Sequence, residues 1–218
     1  MRQVRIIGKK QFFPLGKIVC IARNYAEHIR ELGNEVPDRP VFFMKPASSV
    51  ISEGEQIVIP AFSQDCQHEV ELALLIGRTI KGISAADALS AVAGYGVAID
   101  LTLRDVQSEL KSKGLPWEVA KAFDTACPLS DFVAAATVRD PQNLAISLRV
   151  NGEVRQDATT ALMLRPVPQL IAEIAAIFTL EAGDVILTGT PAGVSRLSSG
   201  DRVTATIAEV GSLNVIVA

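Results

Sequence analysis

His68-Glu69-Val70-Glu71-Leu72-Ala73-Leu74-Leu75-Ile76-Gly77 joins two carboxylates, two positions apart, to an unbroken apolar run. An apolar run of this length reads as a strand buried on both faces. Successive side chains of a strand point to opposite sides, so Glu69 and Glu71 share one. Two anions held side by side at the start of a buried strand repel each other and lose hydration. Protonation or a cation must compensate. Hard oxygen ligands favour Mg²⁺, Mn²⁺ or Ca²⁺ over zinc. An isolated Glu-x-Glu at a strand end is more often a pair of solvated carboxylates, so the rest of the chain has to decide.

Around this strand the 218 residues, about half of them apolar with a net charge of −3, describe an ordinary globular chain. The length suits one large domain with a sizeable core, and residues 1–218 are read as a single domain. No basic block points to nucleic acid, and no apolar run approaches bilayer length. The first residues lack a signal peptide's apolar core, so a cytoplasmic location is the expectation. Cys20, Cys66 and Cys127 are odd in number and far apart, which makes no disulfide framework. Cys66-x-His68 lacks the second pair a zinc site needs, and Cys66 reads as a packed thiol.

Upstream, Val4–Gly8 and Lys17–Ala22 read as strands. A short helix follows, capped by Asn24 and ended at Gly33. On it His28 and Glu31, three apart, share a face. A carboxylate beside an imidazole raises its basicity and fixes its tautomer, as a general base requires; an exposed ion pair of that spacing is the plainer alternative. Val41–Lys45 is a strand stopped by Pro46. Downstream, Ser84-Ala85-Ala86-Asp87 resembles a capping box opening a helix that runs to Gly94. Gly96–Asp100 is a buried strand with a carboxylate at its end. Thr102-Leu103-Arg104-Asp105 opens a helix stopped by Gly114, with Arg104 and Gln107 on one face. Asn151-Gly152 marks a hairpin, Gln169–Phe178 an amphipathic helix, and Val185–Thr188, Arg202–Ala208 and Leu213–Val217 the closing strands.

Glu69, Glu71 and Asp100 thus sit at edges of apolar strands, with His28-x-x-Glu31 and the pair Arg104/Gln107 elsewhere in the chain. Such a set suits a hard-metal site with a separate acid/base dyad, although spacing alone does not bring the groups together. The order Arg23-Asn24-Tyr25-x-x-His28-x-x-Glu31, Phe43-x-Lys45-Pro46, His68-Glu69-x-Glu71-Leu72, Asp100-x-Thr102-x-Arg104-Asp105-x-Gln107, Gly114-Leu115-Pro116-Trp117-x-x-x-Lys121 and Leu187-Thr188-Gly189-Thr190-Pro191 resembles the fumarylacetoacetate hydrolase family, in its short acylpyruvase branch. The resemblance covers nearly the whole chain.

That resemblance implies an α+β fold in which a mixed β-sheet rolls on itself with a few short helices, usually as a homodimer. It implies Mg²⁺ or Mn²⁺, with Ca²⁺ as a substitute in a crystal, held by Glu69, Glu71 and Asp100. His28 and Glu31 would lie on a lid helix as the catalytic dyad, with Lys121 as a further catalytic group. Arg23, Arg104, Gln107 and Thr190 would bind substrate, with Lys45 nearby. The implied reaction is hydrolysis of a carbon–carbon bond in a 2,4-dioxo acid such as acetylpyruvate or fumarylpyruvate. Its leaving group is a carbanion, and a cation chelated by the 2-oxo acid head makes that group tolerable as an enolate. Decarboxylation of oxaloacetate and isomerisation of an unsaturated oxo-dicarboxylate are alternatives at the same site. A silent ligand-binding module would have no need of the His28/Glu31 dyad.

Overall fold

The glutamate strand, Val70–Ile76, lies inside a six-stranded mixed sheet. The structure, a computed structural model, describes residues 2–10 and 12–218. The sheet runs in the order Val133–Ala134, Val92–Ile99, Val70–Ile76, Val185–Leu187, Ile18–Ala22, Val41–Lys45. All its neighbours are antiparallel except Val185–Leu187 beside Ile18–Ala22. A second, five-stranded sheet runs Glu153–Thr159, Ala145–Val150, Arg202–Ile207, Gly211–Val217, Gln56–Ile57. The α+β architecture of mixed sheets with a few short helices is the one the sequence implies.

The packing explains the unbroken apolar run. Leu72, Leu74 and Ile76 face the core shared with Ile146, Leu148, Val203 and Val215 of the second sheet. Ala73 and Leu75, on the opposite side, pack with Ile18, Cys20, Val185 and Phe132. Each face is fully covered, so no polar position interrupts the strand after Glu71. The three cysteines are buried free thiols, and burial pushes those of Cys66 and Cys127 up to about 12.

Among the described residues four α-helices complete the fold: α1 (Ala26–Glu31), α2 (Arg104–Ser112), α3 (Glu118–Lys121) and α4 (Val167–Ile177). No helix among the described residues is long and apolar enough to cross a membrane. The Asn-Gly signal is met by a hairpin between Ala145–Val150 and Glu153–Thr159, with Asn151 and Gly152 both at positive φ, as a tight hairpin turn requires.

Three local readings are corrected. The stretch from Ser84 to Gly94 is not a helix: only Ala88–Ala91 makes a 3₁₀ turn, and Val92–Ile99 is a strand. Ser84 and Asp87 do exchange capping bonds, but the apolar segment from Val92 is taken by the sheet, and tertiary pairing overrides local helix preference. Gly94 and Gly96 fit that placement, because a Cβ at either would press on Val133 O at 2.5 Å or the Phe132 ring at 3.0 Å. Asn24 does not cap α1: Tyr25 takes that position, and the Asn24 side chain bonds Thr188 O and Arg165 instead. Thr102-Leu103 pairs with Cys66-Gln67 as a short antiparallel ladder, so α2 starts at Arg104.

Candidate metal centre

Strand register assembles the acidic cluster. Val70 pairs with Ile99, which sets Asp100 opposite Glu69, and Asp100 N–H continues the ladder to Glu69 O at 2.8 Å. Glu71 lies two residues further on the same side. Ligand oxygens of Glu69, Glu71 and Asp100 lie within 4.8 Å of one another, and all three residues are buried. The next strand supplies a partner in the same way. Leu187 pairs with Ala73, so Gly189 reaches Glu71 and its N–H donates to Glu71 Oε2 at 2.6 Å. Gly189 sits at φ +89°, and a Cβ there would stand 2.8 Å from Asn24 Cβ. Both the backbone conformation and the close approach require glycine.

Cations surround this cluster. Lys121 Nζ donates to Glu69 Oε2 at 2.9 Å and to Asp100 Oδ2 at 2.8 Å. Arg104 donates to Glu69 Oε1, to Gln107 Oε1 at 2.8 Å and to Gln67 Oε1 at 2.9 Å. Burial alone would raise Glu69, but Lys121, Arg104 and His28 outweigh it and hold the carboxyl below its ordinary range. Lys121 is lowered by burial and raised more by Asp100 and Glu69, so its ammonium is held protonated. Glu71 goes the other way. Burial, then Asp100 and Glu69, push it well above the carboxylate range, and Lys121 and the Gly189 N–H compensate only in part.

The donor set fits a hard divalent cation. Three carboxylates converge, one of them strained toward protonation. Asp100 Oδ1 is buried without a hydrogen-bond partner; Lys45 Nζ is 2.8 Å away, a charge contact outside hydrogen-bonding geometry. A bound dication would lower all three carboxyls and satisfy the unpaired oxygen.

A cavity of about 200 Å³ opens on the cluster. It is lined by Glu69, Glu71, Asp100, His28, Arg23, Arg104, Gln107, Lys121 and Thr190, and also by Asn34, Phe43, Ser108, Lys111 and Trp117. His28 is 7% exposed. Its Nδ1 lies 3.1 Å from Glu31 Oε2, and Glu31 Oε1 accepts from Gly193 N at 2.9 Å. The carboxylate at Nδ1 fixes the tautomer that leaves Nε2 as the free basic nitrogen.

Lys45 is the sequence-nominated residue whose placement differs. The sequence groups it with the substrate pocket, but it does not line the cavity. It is 1% exposed, and its ammonium is used up by Asp100 and by the carbonyls of Lys121 and Ala126. It charges the cluster from behind. Sequence reasoning missed Asn34, Ser108, Lys111 and Gln156. Lys111 lies seven residues after Arg104 on the same helix face, a signal that was readable. Gln156 had none: it belongs to the other sheet, yet accepts from Val70 N at 3.1 Å and donates to Thr190 Oγ1 at 2.8 Å.

The chain is similar to proteins of known kind over nearly its whole length. Residues 17–218 match the model of the fumarylacetoacetate (FAA) hydrolase C-terminal family. The oxaloacetate tautomerase YcgM of Escherichia coli is 52% identical over 195 residues, 89% of each chain. The human mitochondrial oxaloacetate tautomerase FAHD1 is 43% identical over 90% of each. The crystal structure of fumarylpyruvate hydrolase from Pseudomonas aeruginosa in complex with Mn²⁺ and pyruvate superposes with a TM-score of 0.94 at 35% identity. That match covers 99% of this chain and 95% of the other.

Proposed function

The chain belongs to the fumarylacetoacetate hydrolase family, and from that premise we propose that it is a divalent-metal-dependent enzyme that moves a proton on, or cleaves next to, the enolisable carbon of a short 2-oxo acid. Keto–enol interconversion of oxaloacetate is the leading reaction, brought forward by the 52% identity to the E. coli tautomerase. Hydrolysis of 2,4-dioxo acids is the second, supported by likeness to the Mn²⁺- and pyruvate-bound fumarylpyruvate hydrolase. One observation carries both: a buried carboxylate triad and a carboxylate-oriented histidine line the same cavity.

Glu69, Glu71 and Asp100 would hold Mg²⁺ or Mn²⁺, which when bound would polarise the 2-oxo group and acidify the neighbouring carbon. The remaining work falls to the chain. Lys121, Gln107 and Thr190 line the cavity as donors for the oxygens of the substrate, and Arg104 adds positive charge beside Glu69. His28 Nε2 takes a proton from C3 of the keto acid, the 2-oxo oxygen takes a proton in its place to give the enol, and the same two transfers run back. For a 2,4-dioxo acid the same nitrogen takes the proton from water, whose oxygen attacks the C4 carbonyl. The C3–C4 bond then breaks, the imidazolium returns its proton to C3, and pyruvate and a carboxylic acid leave. Glu31 stabilises the imidazolium formed in either case.

The decay of enol-oxaloacetate, followed by ultraviolet absorbance with Mn²⁺ or Mg²⁺ present, is the direct test. Acceleration that chelator abolishes is expected; a rate equal to buffer alone sinks the leading reaction. Pyruvate release from acetylpyruvate decides the second.

A further inference from the structure

The dyad stands on a helix too short to hold itself. α1 has six residues, and an isolated helix of that length does not persist in water. Its start is tied down: Asn24 Nδ2 donates to Thr188 O at 2.9 Å, and Tyr25 bridges to Met163. At its end the tie is Glu31. One oxygen of that carboxylate faces His28 Nδ1, and the other accepts from Gly193 N at 2.9 Å. Among the described residues no other hydrogen bond or ion pair reaches the Glu31 carboxylate. Gly193 is itself built in. Its φ is +103°, and a Cβ there would overlap Arg155 O, so both conformation and space call for glycine. On one side Pro191 O accepts from Gln156 Nε2 at 2.8 Å; on the other Ser195 Oγ lies 2.9 Å from His68 Nε2. The direction of that last bond follows from its neighbours. Gln156 Oε1 takes the Val70 N–H and faces His68 Nδ1 at 3.1 Å. An oxygen without a proton makes Nδ1 the donor, so Nε2 accepts from the serine. The loop carrying Gly193 is thus clamped by His68 from the glutamate segment and by Gln156 from the second sheet.

We propose that Gly193 is a positioning residue for the base: its N–H fixes the Glu31 carboxylate, which in turn keeps the proton of His28 on Nδ1 and the lone pair on Nε2. The inference rests on the reading that His28 is the base. A lone carboxylate on a short, solvent-facing helix end turns freely and holds an imidazole loosely. A charge-assisted bond from a clamped main-chain donor removes that freedom. The same loop also touches the acidic cluster, since Gly189 N donates to Glu71. Two glycine N–H groups four residues apart therefore address one carboxylate of the cluster and the carboxylate of the dyad. The loop sets how far the base stands from the proposed metal, and neither end depends on a side chain that could change rotamer.

Glu31→Gln and Glu31→Ala rank differently according to what Gly193 does. A main-chain N–H only donates, so in Glu31→Gln the amide turns its oxygen to Gly193 and its NH₂ to His28 Nδ1. Nδ1 then accepts, Nε2 carries the proton, and the base is lost. Glu31→Ala leaves the tautomer unfixed and keeps part of the basic form. Enol-oxaloacetate turnover is therefore expected to be at least about tenfold lower in Glu31→Gln than in Glu31→Ala, a locked wrong tautomer costing up to about four decades. Equal or higher turnover in Glu31→Gln overturns the proposal. The tautomer is also read without any reaction. The chain has two histidines, so nitrogen NMR of the Mg²⁺-loaded protein, at a pH well above the histidine range, shows two imidazoles. Nδ1–H is expected at His28 and His68 in the unaltered protein, and at His68 alone in Glu31→Gln. Nδ1–H retained at His28 in Glu31→Gln overturns the role of Gly193. Gly193→Ala should lower turnover about tenfold with Mn²⁺ affinity unchanged, about one bond to a charged group, and cost nothing further in Glu31→Ala protein; a loss that persists there overturns the tie. The expected tautomers in a protein that turns over neither oxaloacetate nor acetylpyruvate would leave the tie standing and remove the proposed function.

Discussion

The floor of the cavity and its rim are built on different principles. The floor is sheet: Glu69, Glu71 and Asp100 are placed by the ladder between two central strands, backed by Lys45 and Lys121, and none is more than 4% exposed. The rim is helix and loop: His28 and Glu31 on α1, Arg23 before it, Gln107 and Lys111 on α2. On the floor nearly every charge has a counter-charge within 3 Å. On the rim, Arg23 and Lys111 have only an amide. A register cannot slip without emptying the core, so the floor's geometry is rigid and its chemistry fixed. Rim residues can change without moving a strand. We read the floor as the seat of charge stabilisation, and the rim as supplying the general base together with the groups that choose the substrate.

The floor should therefore break hardest. Asp100→Asn removes one of the three carboxylates proposed to hold the ion and the partner of two buried lysines together. Metal affinity and turnover should fall in step, with turnover down by about three decades if the ion supplies about 4 kcal/mol. Calorimetric titration of Mn²⁺ beside the enol-decay assay checks it, and full activity in the presence of chelator would falsify the metal assignment. His28→Ala probes the general base proposed for the rim. Mn²⁺ affinity should be preserved while turnover drops by about two to four decades, the usual worth of a general base. Near-normal turnover would remove the dyad from the reaction.

Lys45→Met separates support from chemistry. Its ammonium is buried behind Asp100, and removing one partner of a buried pair typically costs about 3–5 kcal/mol. A dication on Asp100 would replace the lost charge, so the loss seen in urea unfolding should be larger in chelator than with Mn²⁺ bound. An equal loss in both conditions would mean that Lys45 and the ion do not share Asp100.

What could be read from the sequence follows the same division. Glu69 and Glu71 were legible because a strand's two-residue period is visible in the residues themselves. Asp100 was legible as a carboxylate at a strand end, but its place opposite Glu69 depends on a register that only pairing reveals. The dyad His28/Glu31 and the face Arg104/Gln107 follow helical spacing. The failures are contacts made over long sequence separations. Lys45 was set near the pocket only by the family resemblance of Phe43-x-Lys45-Pro46, and only the fold shows it spent behind Asp100. Ser84–Gly94 carried helix-like capping and alanines, yet the open sheet position beside Val70–Ile76 claimed Val92–Ile99. Gln156 joins the site from the second sheet, 88 residues after His68, and no local pattern announces it.

Gln156 also supports the finest test of the division between floor and rim. Its Oε1 accepts from Val70 N–H, a group that can only donate, so the amide has one orientation. Its Nε2 must then donate to Thr190 Oγ1 and Pro191 O, both at 2.8 Å. Thr190 Oγ1 is thereby an acceptor on the protein side, and its own proton is left to be donated into the cavity. A hydroxyl committed as a donor suits an anionic head and not a cationic or neutral-donor one. Thr190→Val keeps the shape and removes the donor. Losing one such bond costs about 1 kcal/mol, so KM for oxaloacetate should rise about fivefold with kcat nearly unchanged, while Thr190→Ser restores the original value. Gln156 keeps Pro191 O as an acceptor but loses one for its second amide hydrogen, so unfolding stability should fall by about 1–3 kcal/mol. A fall in kcat of Thr190→Val comparable to that of His28→Ala would instead place the hydroxyl among the reacting groups and erase the line drawn between positioning and chemistry at this end of the sheet.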